Sequence, residues 1–310
     1  NKVLRSMNQG ETFEEISDDL TKGGQKGDVA YGTIVGLDES IFKFGKLVVG
    51  TDDGRIHLSE DGGNSWNEIG KNLPPHLWVS RVQFSKHNDH TIYAALNGYR
   101  WDDFTPYLYK TTDNGKSWTS ISSTLPLDPI NVIKEDPIDG DILYVGTDFG
   151  LFISTNKGGV FHPFATDIPN VPIHDVVVQQ PSDDLLVATH GRSVYKINLQ
   201  YLRSIKDSNK VCQLFVDESI NYWENWGTRS AVYEEWRQPT LEIKVFSPND
   251  QKSHYKITTE NGVILHENNI QLKKGMNSFD YHLTIDEKHQ NGYKKEKKDH
   301  TKTKENNQMY

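Results

Sequence analysis

Four short stretches combine acidic, basic and aromatic residues in patterns that could do chemistry. They are Thr51-Asp52-Asp53-Gly54, the segment 97–106 with Arg100, Trp101, Asp102 and Asp103, Thr147-Asp148-Phe149-Gly150, and Thr189-His190-Gly191-Arg192. Paired carboxylates suit hydrolysis of a glycosidic bond: one protonates the leaving oxygen, its pKa raised by burial, and the other activates water. Such pairs stand about 5–5.5 Å apart for retention or about 6.5–9.5 Å apart for inversion. Asp52, Asp102, Asp103 and Asp148 are the catalytic candidates; Arg100, Trp101, His190 and Arg192 are the binding candidates. Asp-Gly pairs are also ordinary turn residues, so Asp52 and Asp53 carry a structural reading, which Asp148 shares. The segment 97–106 is longer than its counterparts and has the best claim to function.

These stretches share a face only if the chain repeats, and it does. Ser59-Glu60-Asp61-Gly62-Gly63-Asn64-Ser65-Trp66 reads S-x-D-x-G-x-x-W, and Thr111 to Trp118 repeats it with Asp113 and Gly115. A worn copy carries Ser154, Asn156, Gly158 and Phe161, and another carries Ser6, Asn8, Gly10 and Phe13. The copies start at residues 6, 59, 111 and 154, so they lie 53, 52 and 43 residues apart, the period of propeller blades at about 40–50 residues. Each octet reads as a hairpin turn with a plug. The Asp or Asn accepts hydrogen bonds from the next backbone N–H groups, the Gly supplies a positive φ, and the aromatic re-enters a strand and buries its ring between sheets. The octets are therefore structural.

In a four-stranded meander the octets join the third and fourth strands and occupy one rim. The four chemistry-bearing stretches join second to third strands, so they lie on the opposite face, around the channel.

In chain order, residues 2–6 and 12–16 read as the last two strands of a blade. The chain is thus expected to begin in mid-blade, as part of a longer protein. After a polar connection at 18–30, three four-stranded blades follow. The first uses 31–37, 46–50, 55–59 and 66–69; the second 79–84, 91–96, 107–111 and 117–121; the third 131–135, 142–146, 151–154 and 160–164. A last blade offers 173–178, 185–189 and 193–198. About 17 strands make a little over four blades, and propellers close with about 4–8. Either the first strands complete the last blade, or further blades precede the chain; we read it as continuing into upstream blades.

Residues 201–239 form an aromatic-rich connection, helix-like at 201–205, with Trp223, Trp226, Tyr233 and Trp236. Such aromatics stack on sugars or pack between domains. Alternation returns over 240–286, with strands at 241–246, 254–258, 262–266 and 276–283 and a turn at Asn261-Gly262. This predicts a small β-sandwich, with fewer strands than the seven or so of an immunoglobulin-like domain. Residues 287–310 are expected to be a lysine-rich polar loop or tail.

A net charge of −9 argues against nucleic acid as the main partner. A single cysteine, Cys212, excludes an internal disulfide framework and zinc-type spacing. No apolar run approaches the roughly 20 residues of a membrane span. His87, Asp89 and His90 share one turn, and Asp136, Asp139 and Asp141 another. Neither follows a calcium-loop pattern, so no metal and no cofactor is implied. A carboxylate grip by three arginines would need Arg81, Arg100 and Arg192, of which only the last two sit in the favoured loops.

The octets resemble the Asp-boxes of sialidases, of sortilin-type propellers and of xyloglucan-cleaving propeller glycosidases. The wider similarity is to a sortilin-like, Asp-box (BNR) repeat family of exported bacterial proteins, often labelled glycosyl hydrolase. It rests on Gly50-Thr-Asp-Asp-Gly54, Pro106-Tyr-Leu-Tyr-Lys-Thr-Thr-Asp113, Tyr144-Val-Gly-Thr-Asp-Phe-Gly-Leu151 and Ala188-Thr-His-Gly-Arg192. It covers residues 1–200 firmly and 240–285 loosely. The resemblance implies an all-β, Asp-box β-propeller portion over 1–200 followed by a β-sandwich, in a secreted, periplasmic or cell-surface protein. The expected function is recognition of a protein, peptide or polysaccharide on the charged face. The alternative is a glycoside hydrolase using two of the named Asp residues.

Overall fold

The computed structural model describes residues 1–22, 32–164, 168–199, 202, 212–216, 224–234, 237 and 239–297. The chain divides into two compact units, Asn1–Asp207 and Ser208–Tyr310.

The first unit opens with β1 (Leu4–Arg5) paired to β2 (Glu14–Glu15). Three four-stranded antiparallel meanders follow in chain order. They are β3 (Ile34–Glu39) to β6 (Asn67–Glu68) through β4 (Leu47–Thr51) and β5 (Ile56–Ser59); β7 (Trp78–Phe84) to β10 (Thr119–Ser120) through β8 (Ile92–Gly98) and β9 (Asp103–Thr111); and β11 (Ile130–Glu135) to β14 (His162–Phe164) through β12 (Leu143–Thr147) and β13 (Leu151–Ser154). A three-stranded sheet closes the unit with β15 (Ile173–Gln179), β16 (Asp184–Thr189) and β17 (Val194–Asn198). The unit is thus a partial β-propeller with the strand succession expected. β1 and β2 pair with each other and do not complete the sheet of β15–β17.

Burial explains why the second strands read as unbroken apolar runs rather than as alternations. Each is covered on both faces by neighbouring sheets, and every residue of β4, β8 and β12 is buried. Val48, Ile56 and Leu58 of the first blade share one core with Val79, Val82, Phe84, Ile92 and Leu96 of the second. Tyr93, Ala95 and Leu108 share the next with Ile130, Ile133, Leu143 and Phe161 of the third. Each such side chain contributes about 1.5–3 kcal/mol on burial. Gly50 is required where blades approach closest, since a Cβ there would sit 2.5 Å from Val79 Cγ1.

The octets fold as expected. Gly63 N–H donates to Ser59 Oγ at 2.8 Å and Ser65 N–H to Asp61 Oδ1 at 2.9 Å. In the second copy Gly115 N–H donates to Thr111 Oγ1 and Ser117 N–H to Asp113 Oδ1, both at 2.9 Å. The third repeats this with Ser154 and Asn156, and Phe161 is buried. Phe13, the aromatic of the copy that begins at Ser6, is instead 62% exposed, so among the described residues it plugs nothing.

A lysine buried between the first two blades carries no hint in the sequence. Lys46 is 1% exposed, with Nζ 3.1 Å from Asp89 Oδ2, 2.5 Å from Asp89 O and 3.1 Å from Asn114 Oδ1. Asp89 in the turn with His87 and His90 thus serves as the counter-ion of a buried cation.

In the second unit β18 (Gln213–Val216), β19 (Leu241–Ser247) and β22 (Gly275–Tyr281) form one sheet with β19 central, and β20 (Gln251–Thr258) pairs with β21 (Ile264–Leu272). Ile243, Val245, Leu272 and Tyr281 form the shared core, with Ile257, Ile270 and Phe279 packed on it. This is the small β-sandwich. It differs from expectation in two places. β18 lies inside the stretch read as a connection, and residues 287–297 are a 3-10 turn followed by helix rather than a polar tail. The helix is tied down at Glu296, which accepts from Thr259 Oγ1 at 2.9 Å and Asn261 Nδ2 at 2.7 Å. The expected helix at 201–205, apart from Leu202, and Trp223, Trp236 and Lys298 onward lie outside the described residues.

Candidate functional site

The β-meander places the four chemistry-bearing stretches on one face of the first unit, since each joins a second strand to a third. Every first strand also enters the sheet through a register shift, at Ile34/Gly36, Trp78/Arg81, Ile130/Val132 and Ile173/Asp175. Such bulges re-aim side chains at strand ends, and here they set the connections that border the same face.

Three of the four loops are tied together. Arg100 Nη1 lies 4.0 Å from Asp52 Oδ2, and its guanidinium stacks 5.1 Å from the Trp78 ring centroid. Asn97 Nδ2 donates to Asn131 Oδ1 at 3.0 Å, and Asn131 Nδ2 donates to Asp148 Oδ1 at 2.8 Å. Asn97 and Asn131 are buried, so this amide relay is a rigid link between the second and third blades. His190 and Arg192 are both exposed. The His190 ring lies 5.2 Å from that of His174, and no bond joins this fourth loop to the other three among the described residues.

The carboxylates differ sharply in what is left for a ligand. Asp52 accepts from Thr33 N–H at 2.6 Å, and Asp53 from Lys22 N–H at 2.7 Å and Thr51 Oγ1 at 2.5 Å. Both serve the loop, as their turn chemistry suggested. Asp103 accepts from Thr105 N–H at 3.0 Å and from Tyr107 Oη at 2.8 Å. Desolvation pushes its pKa up, but those bonds prevail and hold it below the usual carboxylate range, so it is ill-suited to hold a proton for donation to a leaving group. Asp102 is exposed and sits in the left-handed region at φ 55°; its N–H donates to the Tyr99 carbonyl, and its carboxylate has no partner among the described residues. Asp148 is half-buried, and among the described residues its Oδ2 has no hydrogen bond.

One acid on this face escaped the sequence reading. Asp128, just before β11, is 2% exposed; its Oδ2 accepts from Phe149 N–H at 3.0 Å and its Oδ1 has no partner. Burial pushes its pKa up, bonds from Thr147 and the Phe149 N–H oppose this in part, and the charge of Asp148 adds to the rise. Asp128 thus holds its proton more readily than an ordinary carboxyl, near a second carboxyl at Asp148. Its only trace in the sequence is Leu-Asp-Pro, which reads as a turn.

Aromatic rings supply the rest of the surface. Tyr99 is 59% exposed, Trp101 55%, Phe104 40% and Phe149 65%. Tyr99 and Phe104 meet edge to face with centroids 6.1 Å apart, held by the 3-10 turn Tyr99–Trp101 and the start of β9. Four exposed rings on one face form an apolar surface of the kind that marks interaction sites.

Two of the three arginines weighed for a carboxylate grip are already paired, Arg100 with Asp52 and Arg81 with Asp175 at 2.9 Å. Asp136 accepts from Ile138 N–H, Asp139 N–H and Tyr144 Oη, and His87 Nε2 bonds the Asp136 carbonyl at 2.8 Å. Among the described residues no group of three or more His, Cys, Asp or Glu side chains is placed to hold a metal ion.

No curated protein matches the chain. Among solved structures, the GH74 xyloglucanase from Xanthomonas campestris aligns at 12% identity over 69% of this chain and 35% of its own length, TM-score 0.45. A GH74 enzyme from Niastella koreensis aligns at 16% identity over 72% and 29%, TM-score 0.40. An ancestral GH74 enzyme aligns at 15% identity over 88% and 35%, TM-score 0.46. The chain thus spans about a third of the length of these structures. The family model described as Sortilin, neurotensin receptor 3, matches residues 1–125, so the resemblance to sortilin-like Asp-box propellers holds over that part of the chain.

Proposed function

We propose that the loop face is a recognition surface of an exported propeller, taking a glycan or an extended peptide across Tyr99, Trp101 and Phe104. One observation carries this reading: the carboxylates of Asp52, Asp53 and Asp103 are spent on protein donors, while the aromatic rings beside them stand in solvent. Exposed rings stack on sugar faces or pack on apolar side chains at little conformational cost. Arg192, exposed in its loop, adds charge at the edge for an acidic group on the ligand.

The test is binding of a panel of β-glucan, xyloglucan, sialoside and peptide ligands to the full chain by calorimetry. Trp101→Ala and Phe104→Ala are expected to weaken the best ligand by about tenfold each, the scale of a lost stacking contact. Unchanged affinity in both variants removes the aromatic surface from the reading.

A second reading, glycoside hydrolysis, draws on the pair Asp128 and Asp148. A buried carboxyl with raised pKa close to a second carboxyl is an asymmetry of the kind that glycosidic cleavage uses. It predicts turnover of a polysaccharide in that panel, abolished by Asp128→Asn and by Asp148→Asn. Binding without turnover decides for recognition alone.

A further inference from the structure

On the octet face, opposite the loops described above, a cleft of about 450 Å³ opens between the second and third blades. That volume holds a monosaccharide-sized ligand. We propose that this cleft binds an oxyanion group, a carboxylate or a sulfate, between the ammonium groups of Lys110 and Lys157.

The floor is Glu135, 3% exposed and already saturated. It accepts from Tyr93 Oη at 2.8 Å, Ser85 Oγ at 2.7 Å and Lys86 N–H at 2.6 Å. Three donors hold Glu135 in place, so it serves the packing between the blades and keeps its negative charge at the floor.

Lys110 is in the opposite condition. It leaves β9 half-buried, with Nζ 5.5 Å from the Tyr93 ring centroid. No carboxylate among the described residues lies within ion-pair distance and no hydrogen bond reaches it. A half-buried ammonium with no direct ion pair is costly; burial depresses its pKa, and the nearby charges of Glu135 and Asp141 oppose this only in part while that of Lys157 adds to it. An arriving anion supplies the missing partner.

Lys157 brings the second charge from the third octet, where its backbone is left-handed at φ 60°. Its Nζ lies 3.1 Å from Asp141 Oδ1, with both side chains half or more exposed. Such exposed pairs are worth about 0–1 kcal/mol, so Lys157 turns from Asp141 at little cost. Thr91, Thr112 and Asn88 line the cleft and offer neutral donors. Against the anion stand the charges of Glu135, stabilised in place by three neutral donors, and of Asp141, which Lys157 leaves when it turns to the anion. Every wall comes from the second and third blades, so this site is independent of the ligand on the loop face.

The experiment titrates the full chain with sodium sulfate, glucuronate, galactose 6-sulfate and neutral glucose by ligand-observed NMR. The Lys110 ammonium is followed in parallel by heteronuclear NMR. Saturable binding is expected for at least one oxyanion and not for glucose, with an upward shift of the Lys110 pKa on binding. Lys110→Met should weaken binding by about tenfold or more, as loss of a charge-assisted contact does, while Lys110→Arg, which keeps the charge, retains it. Sulfate binding as well as the sugars do assigns the site to a free anion; tighter sugar binding assigns it to an acidic glycan. No saturation by any oxyanion, equal binding of glucose, or unchanged affinity in a folded Lys110→Met overturns the proposal.

Discussion

The indole nitrogen of Trp118 donates to the carbonyl of Ile69 at 2.8 Å, one blade upstream. Trp66 makes the same bond to Ile16, also at 2.8 Å. Each of these two octets is therefore a clamp: its ring wedges between blades and its N–H is bonded just after the last strand of the blade before. Trp118→Ala is expected to cost about 3 kcal/mol, at the low end for a large aromatic because the ring is half-buried. Trp118→Phe keeps most of the ring and should cost about 1 kcal/mol for the lost bond. Denaturant unfolding of the two variants checks the difference, and a loss below about 1 kcal/mol for Ala would remove the clamp.

Gly115 faces the same isoleucine. Its φ is 83°, and a Cβ there would stand 2.6 Å from Ile69 Cβ. Gly191, in the candidate loop, has φ 78° and nothing within 4 Å. Both Ala variants carry left-handed strain of about 1–2 kcal/mol, but only Gly115→Ala adds overpacking of about 1–3 kcal/mol. Equal melting temperatures for the two variants would contradict this.

Lys46 and Asp89 invite an asymmetric pair of changes. Asp89→Ala strands a buried ammonium and should cost about 3–5 kcal/mol. Lys46→Met removes the charge with the volume kept and is expected to be far milder, near neutral or stabilising. Chemical denaturation of both, with the double variant closing the cycle, distinguishes a paired charge from mere packing.

Acid should loosen the octets. The hydroxyl of Ser117, then that of Thr111 and the Ser117 N–H, hold Asp113 down at about 2, and Asp61 is lowered by Ser65 in the same way. A carboxylate with a depressed folded pKa stabilises above its unfolded value, near 4, and that contribution is lost as pH falls toward 2. Stability is expected to decline across that window. Asp113→Asn, the residue the worn copies already use at Asn156 and Asn8, should flatten the decline. An unchanged pH profile in Asp113→Asn would show that other acids govern it.

Much of the architecture was legible in the chain because it repeats. The octet spacing, the apolar second strands and the glycines between them state the blade order, and with it the face on which residues 51–54, 97–106, 147–150 and 189–192 emerge. Local chemistry also stated the octet itself, since Ser59, Asp61 and Gly63 interact within a few residues of one another. The helix at 290–297 and strand β18 were not legible, because polar or irregular sequence takes its structure there from pairing with distant partners such as Thr259 and Asn261.

The site was legible in part. Which loops face together follows from strand order alone. Which of their carboxylates remain available does not, because Thr33, Lys22, Thr105 and Asn131 reach Asp52, Asp53, Asp103 and Asp148 through turns and neighbouring strands. Asp128 became a candidate only through burial, and Lys110 only through the lack of a partner. The sequence by itself determined the repeat, the direction of each blade and the face that carries the charged loops, since these depend on spacing. Tertiary structure decided which charged groups are spent and which are free, because hydrogen bonding and desolvation are set by neighbours that no spacing along the chain records.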